Sequence, residues 1–271
     1  MTFWILIVLG IIQGLTEFLP ISSSGHLVLF YNIFGIENDT VLLSIILHIA
    51  TLLAVIFYYR KDIWTLIRHP FCNTNRKIIV TTLFTCIVAL ILKPIIDLAF
   101  DGSSLSIFFV ITGILLWISD WFAYNPNKKM LNITNSISSL DIKNLPLTYH
   151  QAIIIGISQG VACIPGISRS GTTIATSRIL GLNAISAKYS FLISIPIIIA
   201  SLLLEILSGA TLSNINILGL ILSFLLCFLV GLICIKIMTK SLQKNTLKYF
   251  SIYLFILALF MTINSLFLHW F

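Results

Sequence analysis

Charge is what this sequence has least of. Asp, Glu, Lys and Arg make up 9% of its 271 residues, where a soluble domain carries about 25%. That excludes an ordinary water-soluble surface. Short alternating apolar segments of the kind that build a transmembrane β-barrel are missing as well. The five cysteines, Cys72, Cys86, Cys163, Cys227 and Cys234, show no metal or redox spacing and read as reduced packing residues. The N-terminal run lacks a basic stretch and a small-residue cleavage site, and Gln13 and Glu17 interrupt it. It therefore reads as part of the membrane body rather than as a removable signal peptide.

Long apolar runs fill the chain instead. Val41 to Tyr59, Ile78 to Phe100, Leu105 to Tyr124, Ala184 to Leu207, Ile215 to Ile235 and Leu247 to Phe271 are each long enough to cross a bilayer, which takes roughly 20 residues of helix. Unpaired backbone groups are not tolerated in lipid, so these runs are expected to be helices. The net charge of +7 is no nucleic-acid signal, because the basic residues gather between the runs. Arg60 to Lys77, Asn125 to Pro146 and Lys236 to Lys248 are expected on the cytoplasmic side, and Glu37 to Thr40 and Asp97 to Ser104 outside. Trp64, Trp117, Trp121 and Trp270 fall near run ends, as interfacial anchors do. Lys93, Lys188, Arg178 and Glu205 are expected to snorkel to the interface.

An internal repeat stands out. With one constant offset, Gly10 meets Gly156, Gln13-Gly14 meets Gln159-Gly160, Ile21-Ser22 meets Ile167-Ser168, Ser24-Gly25 meets Ser170-Gly171 and Gly35 meets Gly181. About 28 residues align without a gap and roughly a third are identical. The matches fall on Gly, Ser and Gln rather than on the abundant aliphatics, which argues for duplication. The chain is read as a single membrane domain, 1–271, with repeats over about 7–59 and 153–207. Each repeat opens with a short apolar helix, a Pro/Gly/Ser-rich break and a second short helix, over about 3–36 and 148–183. Irregular backbone at membrane depth is tolerated when it is buried in protein or lines a wet cavity. Three spans separate the two pairs, so they are expected to enter from opposite faces. The fold class expected is an all-α integral membrane protein: a polytopic bundle with an inverted-topology repeat, about six full spans and two re-entrant helix pairs.

The breaks carry the chemistry. Glu17 and Arg169 are charges in apolar, membrane-depth sequence, where charge is costly and functional by default. The turns Ser22-Ser23-Ser24-Gly25 and Ser168-Arg169-Ser170-Gly171 each lead into a helix, whose N–H groups and hydroxyls suit an anion. Arg169 adds a bidentate donor for phosphate oxygens, and Thr173 follows in the same turn. Ser22, Ser24, Gly25, Ser168, Arg169, Ser170, Gly171 and Thr173 are thus candidate phosphate-binding residues. Glu17 and His26 are candidate acid/base or metal groups. His48 reads as a packing or supporting residue rather than a ligand.

These motifs resemble those of the undecaprenyl-diphosphate phosphatase family, the bacitracin-resistance proteins, over essentially the whole chain. In that family Glu or Gln is followed four residues later by Glu, then by Pro-x-Ser-Ser-x-Gly-His and, further on, Pro-Gly-x-Ser-Arg-Ser-x-x-Thr. Here these fall on Gln13 to Glu17, Pro20 to His26 and Pro165 to Thr173. The resemblance implies removal of the terminal phosphate from a C55 polyprenyl diphosphate at the bacterial inner membrane, dependence on a divalent cation (Mg²⁺ or Ca²⁺), and the inverted-repeat fold. Glu17, His26, Ser23 and Arg169 are the expected catalytic residues, with Glu17 and Gln13 as expected metal ligands. Gln13 stands where the family commonly has Glu; an amide oxygen can bind a hard cation but cannot act as a base. The nucleophile is left open between Ser23 and water. Membrane lipids are further expected partners, nucleic acid is not, and a homodimer is among the open assemblies. The rival from another class is a polyprenyl-phosphate flippase or secondary transporter on the same inverted-repeat fold.

Overall fold

In a computed structural model, residues 2–36, 40–99, 102–123, 141–207, 216–243 and 247–268 are described. Twelve α-helices and no strand lie among them. The Glu37 region, most of the Asn125 to Pro146 segment, the Glu205 side chain and Trp270 fall outside the described residues.

The first break pair is α1 (Phe3–Thr16) and α2 (Ser23–Phe34). At 1.5 Å per residue the 14 residues of α1 reach about 21 Å, short of a bilayer core of about 30 Å. Pro20 cannot continue the helix, and Ser22 takes up φ 71°, a conformation rare for a residue with a Cβ. Ser22 Oγ then caps α2 by accepting from Gly25 N at 3.3 Å, and Gly35 ends α2 in the left-handed region. The second pair is α8 (Tyr149–Val161) and α9 (Arg169–Ile179). Thr148 and Gln151 form a capping box on α8. Gly166 supplies a left-handed turn at φ 92°, and Ser168 Oγ caps α9 from Gly171 N at 3.0 Å. The cap serines and glycines of the two pairs are the residues that the repeat superposes.

Around them stand α3 (Thr40–Tyr58), α5 (Asn73–Ile91), α7 (Leu105–Ala123), α10 (Ser186–Leu207), α11 (Ile217–Gln243) and α12 (Lys248–Ile263). Five of these are long and apolar enough to cross a membrane alone, and α3 makes a sixth when joined to α4 (Arg60–Arg68), which bends away by 79°. Trp64, Trp117 and Trp121 are all exposed, as are Leu83, Leu204 and Leu259 on the outer faces. Such an apolar exterior needs lipid around it, and the chain is a multi-pass helical membrane protein.

Several boundaries differ from the sequence reading, among them the end of α11, which runs past Ile235 through Lys236 and Lys240 to Gln243. The run that continues to Phe100 breaks at Leu92 into α5 and α6 (Lys93–Ala99), because Pro94 has no N–H to continue the helix and its ring clashes with the carbonyl four residues earlier. Arg76 and Lys77, read as loop residues, belong to α5, and the buried Lys77 donates to Leu145 O at 3.3 Å. The snorkelling expectation also needs correction. Arg178 is 2% exposed and pairs with Asp120 at 2.7 Å, while Lys188 pairs with Asp62 at 3.0 Å. Asp120 holds α12 as well, by accepting from Lys248 N at 2.7 Å. Each of these charges has a partner on a neighbouring helix, and pairing satisfies it.

The helices pack in an exchanged pattern. α1 lies on α11 from the far half of the chain, and its counterpart α8 lies on α5 from the near half. Both contacts are made by glycines four residues apart. A Cβ on Gly10 would sit 2.5 Å from Ser223 O, and one on Gly14 2.7 Å from Cys227 O. A Cβ on Gly156 would sit 2.5 Å from Thr81 O, and one on Gly160 2.5 Å from Val88 Cβ. Close approach at small residues is how helices associate in lipid, where no hydrophobic force drives them together. It brings Thr81 Oγ1 and Thr85 Oγ1 within 3.0 and 3.1 Å of the carbonyls of Ala152 and Gly156.

Gly156→Ala is therefore expected to destabilise by about 1–3 kcal/mol, read as a lowered thermal midpoint in detergent. Gly35→Asn, at a left-handed position with open space around it, is expected to leave the midpoint nearly unchanged. Equal midpoints for the two variants would refute the close-packing account.

Candidate active site

The two breaks meet face to face. An added Cβ on Gly25 would come 3.0 Å from Gly166 Cα, and Ser170 Oγ donates to Leu19 O at 3.1 Å. Thr112 of α7 braces the second break by accepting from Ser168 N at 3.2 Å. Three helix ends deliver the functional groups: Glu17 caps the C-terminus of α1, Ser23 opens α2 and Arg169 opens α9.

Glu17 is the hub. Its side chain is 3% exposed. Glu17 Oε1 is ion-paired with the Arg169 guanidinium. Glu17 Oε2 accepts from Ser23 Oγ at 2.6 Å and from Gln13 Nε2 at 2.9 Å. His48 Nε2, from α3, stands 3.8 Å from the same oxygen.

Ser23, Arg169 and His48 border a cavity of about 740 Å³, within the range of small-molecule sites, while Glu17 and Gln13 lie behind its wall. Ser22, Ser23, Ser24, Cys163, Arg169 and His48 are among its polar lining, and α2 and α10 contribute Leu27, Tyr31, Ile198 and Leu202 together with Asn32 and Ser201. A wall that mixes charged and hydroxyl groups with aliphatic side chains suits an amphipathic ligand.

Of the residues singled out from sequence, Glu17, Ser23, Arg169 and Gln13 come together, with Ser22 and Ser24 beside them. The others build the turns. Ser168 Oγ and the N–H of Gly171 are engaged in the α9 cap, as Ser22 Oγ and the N–H of Gly25 are in the α2 cap. Thr173 is fully buried and bonds Ser190 Oγ. His26 is not on the cavity wall. Its Nδ1 is 2.7 Å from Ser22 O, so it carries the proton there, and its Nε2 is 2.7 Å from Tyr253 Oη. The ring stacks on Tyr253 and fastens the strained Ser22 to α12. Sequence reading missed Tyr253, which lies far along the chain, and set aside His48, whose only local signal is Ser44 one turn earlier.

The fit to a cation is mixed. Among the described residues no three His, Cys, Asp or Glu side chains are disposed to hold a metal. Gln13 Oε1, however, is buried without a hydrogen-bond partner, which costs about 1–3 kcal/mol. One carboxylate with an orphaned amide oxygen suits an ion that completes its shell with water and phosphate oxygens, as Mg²⁺ does.

A multi-pass helical membrane protein with an acid–serine–arginine centre at two facing helix breaks is the class thus defined. The chain belongs to the bacitracin resistance protein BacA family, whose model matches residues 6–260. Relatives include proteins named undecaprenyl-diphosphatase from Carboxydothermus hydrogenoformans, 37% identical over 258 residues (93% of each chain), and from Thermosipho melanesiensis, 37% identical over 262 residues (94% of this chain, 96% of the relative). One from Methanococcus maripaludis is 36% identical over 262 residues, 94% of this chain and 97% of the relative.

Arg169→Ala is expected to destabilise by about 3–5 kcal/mol, because it strands the buried Glu17 carboxylate; Glu17→Ala, which leaves a guanidinium that reaches the cavity, is expected to destabilise by less, and the double variant by less than the sum. Unfolding midpoints of the four proteins close the cycle. Losses that add within about 0.5 kcal/mol would mean the two charges are uncoupled.

Proposed function

We infer that this chain is an undecaprenyl-diphosphatase that releases the terminal phosphate of the C55 lipid diphosphate and returns the monophosphate carrier for cell-wall synthesis. The observation that carries the chemistry is the 2.6 Å hydrogen bond from Ser23 Oγ, on the cavity wall, to the buried Glu17 Oε2 behind it. Membership of the BacA family and the names of the relatives supply the substrate. The flippase or transporter alternative is not favoured.

The steps follow from the chain's own groups. An incoming terminal phosphate competes for the Arg169 guanidinium, which offers a planar fork matched to phosphate oxygens. That loosens Arg169 from Glu17 and leaves the carboxylate to hold the Ser23 proton. Ser23 Oγ attacks the terminal phosphorus, Glu17 takes the hydroxyl proton, and the bond to the bridging oxygen breaks, so that undecaprenyl phosphate leaves. Water then hydrolyses the phosphoserine, giving inorganic phosphate and returning the proton to Ser23. Phosphoryl transfer asks mainly for positioning and charge neutralisation, so a carboxylate held by several donors suffices as proton acceptor. His26 acts through Ser22, keeping the backbone before Ser23 in its strained turn.

Glu17 already balances Arg169, so the two to three negative charges of a diphosphate need another positive group. A divalent cation held by Glu17 and Gln13 supplies charge neutralisation and orients the phosphate when bound. The two break pairs are read as entering the bilayer from opposite faces; the exchanged glycine packing of α1 and α8 supports that inversion. The membrane is read as the bacterial inner membrane.

The experiment measures inorganic phosphate released from a long-chain prenyl diphosphate by purified protein, with and without EDTA. Ser23→Ala and Arg169→Ala are expected to lower kcat by about 10²–10³-fold or more, EDTA to abolish release, and acid quenching of the wild type to trap phosphoserine at position 23. Release that persists undiminished in Ser23→Ala would give the nucleophilic role to water; release that persists in Arg169→Ala would sink the phosphatase reading.

A further inference from the structure

The corner between α3 and α4 takes no part in the site described above. α3 crosses the bundle and α4 leaves it at 79°, so α4 lies nearly in the plane of the membrane. Its nine residues divide into three edges at helical spacing. Asp62 and Leu66 face inward: Leu66 is 6% exposed, and Asp62 pairs with Lys188 of α10 at 3.0 Å. Ile63, Ile67 and Trp64 make a second edge. Ile67 and Trp64 are more than half exposed, as is Phe71 just beyond the helix. Lys61 and Arg68 make the third edge, both exposed, and the Arg68 guanidinium lies over the Trp64 ring at 4.9 Å. Arg60 opens the helix, donating to Phe57 O at 3.0 Å with its guanidinium over the Phe57 ring. The corner is fixed in place, because Asn75 Nδ2 donates to Leu66 O and His69 O at 2.9 and 3.1 Å and closes the carbonyl end of α4.

We propose that α4 is an interfacial helix that binds acidic phospholipid headgroups. The one acid of the helix is turned inward to Lys188, so the outward charge, from Arg60, Lys61 and Arg68, is all positive. Among the described residues the packed neighbours keep that sign. The turn Ile142–Asn144 brings Asp141 and Lys143, which offset each other, and α5 brings the exposed Arg76. Exposed Ile67, Trp64 and Phe71 beside these cations are the pattern of a helix lying in the headgroup layer, with its apolar edge toward the acyl chains and its basic edge toward the phosphates. An indole at that depth is an interfacial anchor, and a guanidinium stacked on it still presents N–H groups along its rim to a phosphate. A second basic group stands at the same end of the bundle. α11 runs in the same direction as α3, since Cys227 Sγ donates to Leu47 O at 3.5 Å and a Cβ on Gly231 would sit 3.3 Å from Ala54 Cβ. The exposed Lys236 and Lys240 of α11 thus share the end with α4, but on a spanning helix rather than one in the membrane plane.

The test titrates the purified full chain in detergent with phosphatidylglycerol and with phosphatidylcholine and counts bound lipid by native mass spectrometry. Wild type is expected to hold phosphatidylglycerol about tenfold or more tightly, since each cation near an acidic surface contributes about fivefold. Arg60→Gln/Lys61→Gln/Arg68→Gln is expected to bring the two lipids level. Lys236→Gln/Lys240→Gln is expected to keep most of the preference, and Trp64→Ala/Phe71→Ala to weaken both lipids alike. A preference that survives the α4 charge variant, or that falls as far in the α11 variant, overturns the assignment. So does competition by glycerol phosphate at the concentration at which the lipid binds, which would make the ligand a free anion. If the triple variant does not fold, Lys61→Gln/Arg68→Gln decides, with most of the preference expected to go. Phosphate release is not part of this readout, so the lipid surface and the phosphatase reading stand or fall separately.

Discussion

Everything at the site hangs on one buried ion pair. Glu17 and Arg169 come from different repeats, and neither charge is tolerable at membrane depth without the other. Their pairing obliges the two breaks to face each other, which sets the places of Ser23, of the cavity wall beside it and of the two serine caps. Pairing of this sort contributes little net stability, since both charges lose their water; its worth lies in specifying one arrangement. It also keeps the guanidinium within reach of a phosphate while leaving it exchangeable, at 21% exposure against 3% for the carboxylate.

The repeat explains how one turn produced two different tools. Superposition sets Ser23 on Arg169 and Glu17 on Cys163. The same cap, a serine oxygen on the N–H of a glycine three residues on, survives in both. What diverged is the residue just after the cap, a hydroxyl in one and a guanidinium in the other, and the residue at the end of the preceding helix, a carboxylate in one and a thiol in the other. Cys163 still lines the cavity, but its thiol donates to Gln159 O at 3.8 Å rather than meeting a cation.

Local signals in the sequence read well. The spans, the breaks, the caps and the grouping of Glu17, Ser23 and Arg169 follow from runs of apolar residues, from Pro, Gly and Ser at fixed places, and from charges in apolar surroundings. Side-chain partnerships across the bundle were not legible. Arg178 looks like a snorkelling residue until α7 brings Asp120 to it. His26 looks like an acid/base group until α12 occupies its second nitrogen with Tyr253, and His48 looks like packing until α3 turns it toward Glu17. Each depends on which helix lies beside which, and the exchanged packing of α1 on α11 and α8 on α5 has no signature beyond two glycines spaced four apart.

That exchange has a consequence for how the molecule is made. The partner of α1 is α11, which begins at Ile217, so the first helix emerges from the ribosome about 200 residues before the surface it packs on. At roughly 5–20 residues per second the wait is about 10–40 s. Through that interval Glu17 sits on a short helix with neither its neighbour nor, for most of the time, its arginine. The second pair has no such delay, because α5 is already in place when α8 arrives. Biogenesis is therefore asymmetric in a molecule whose packing is duplicated: the later half completes itself on arrival, and the earlier half is finished last.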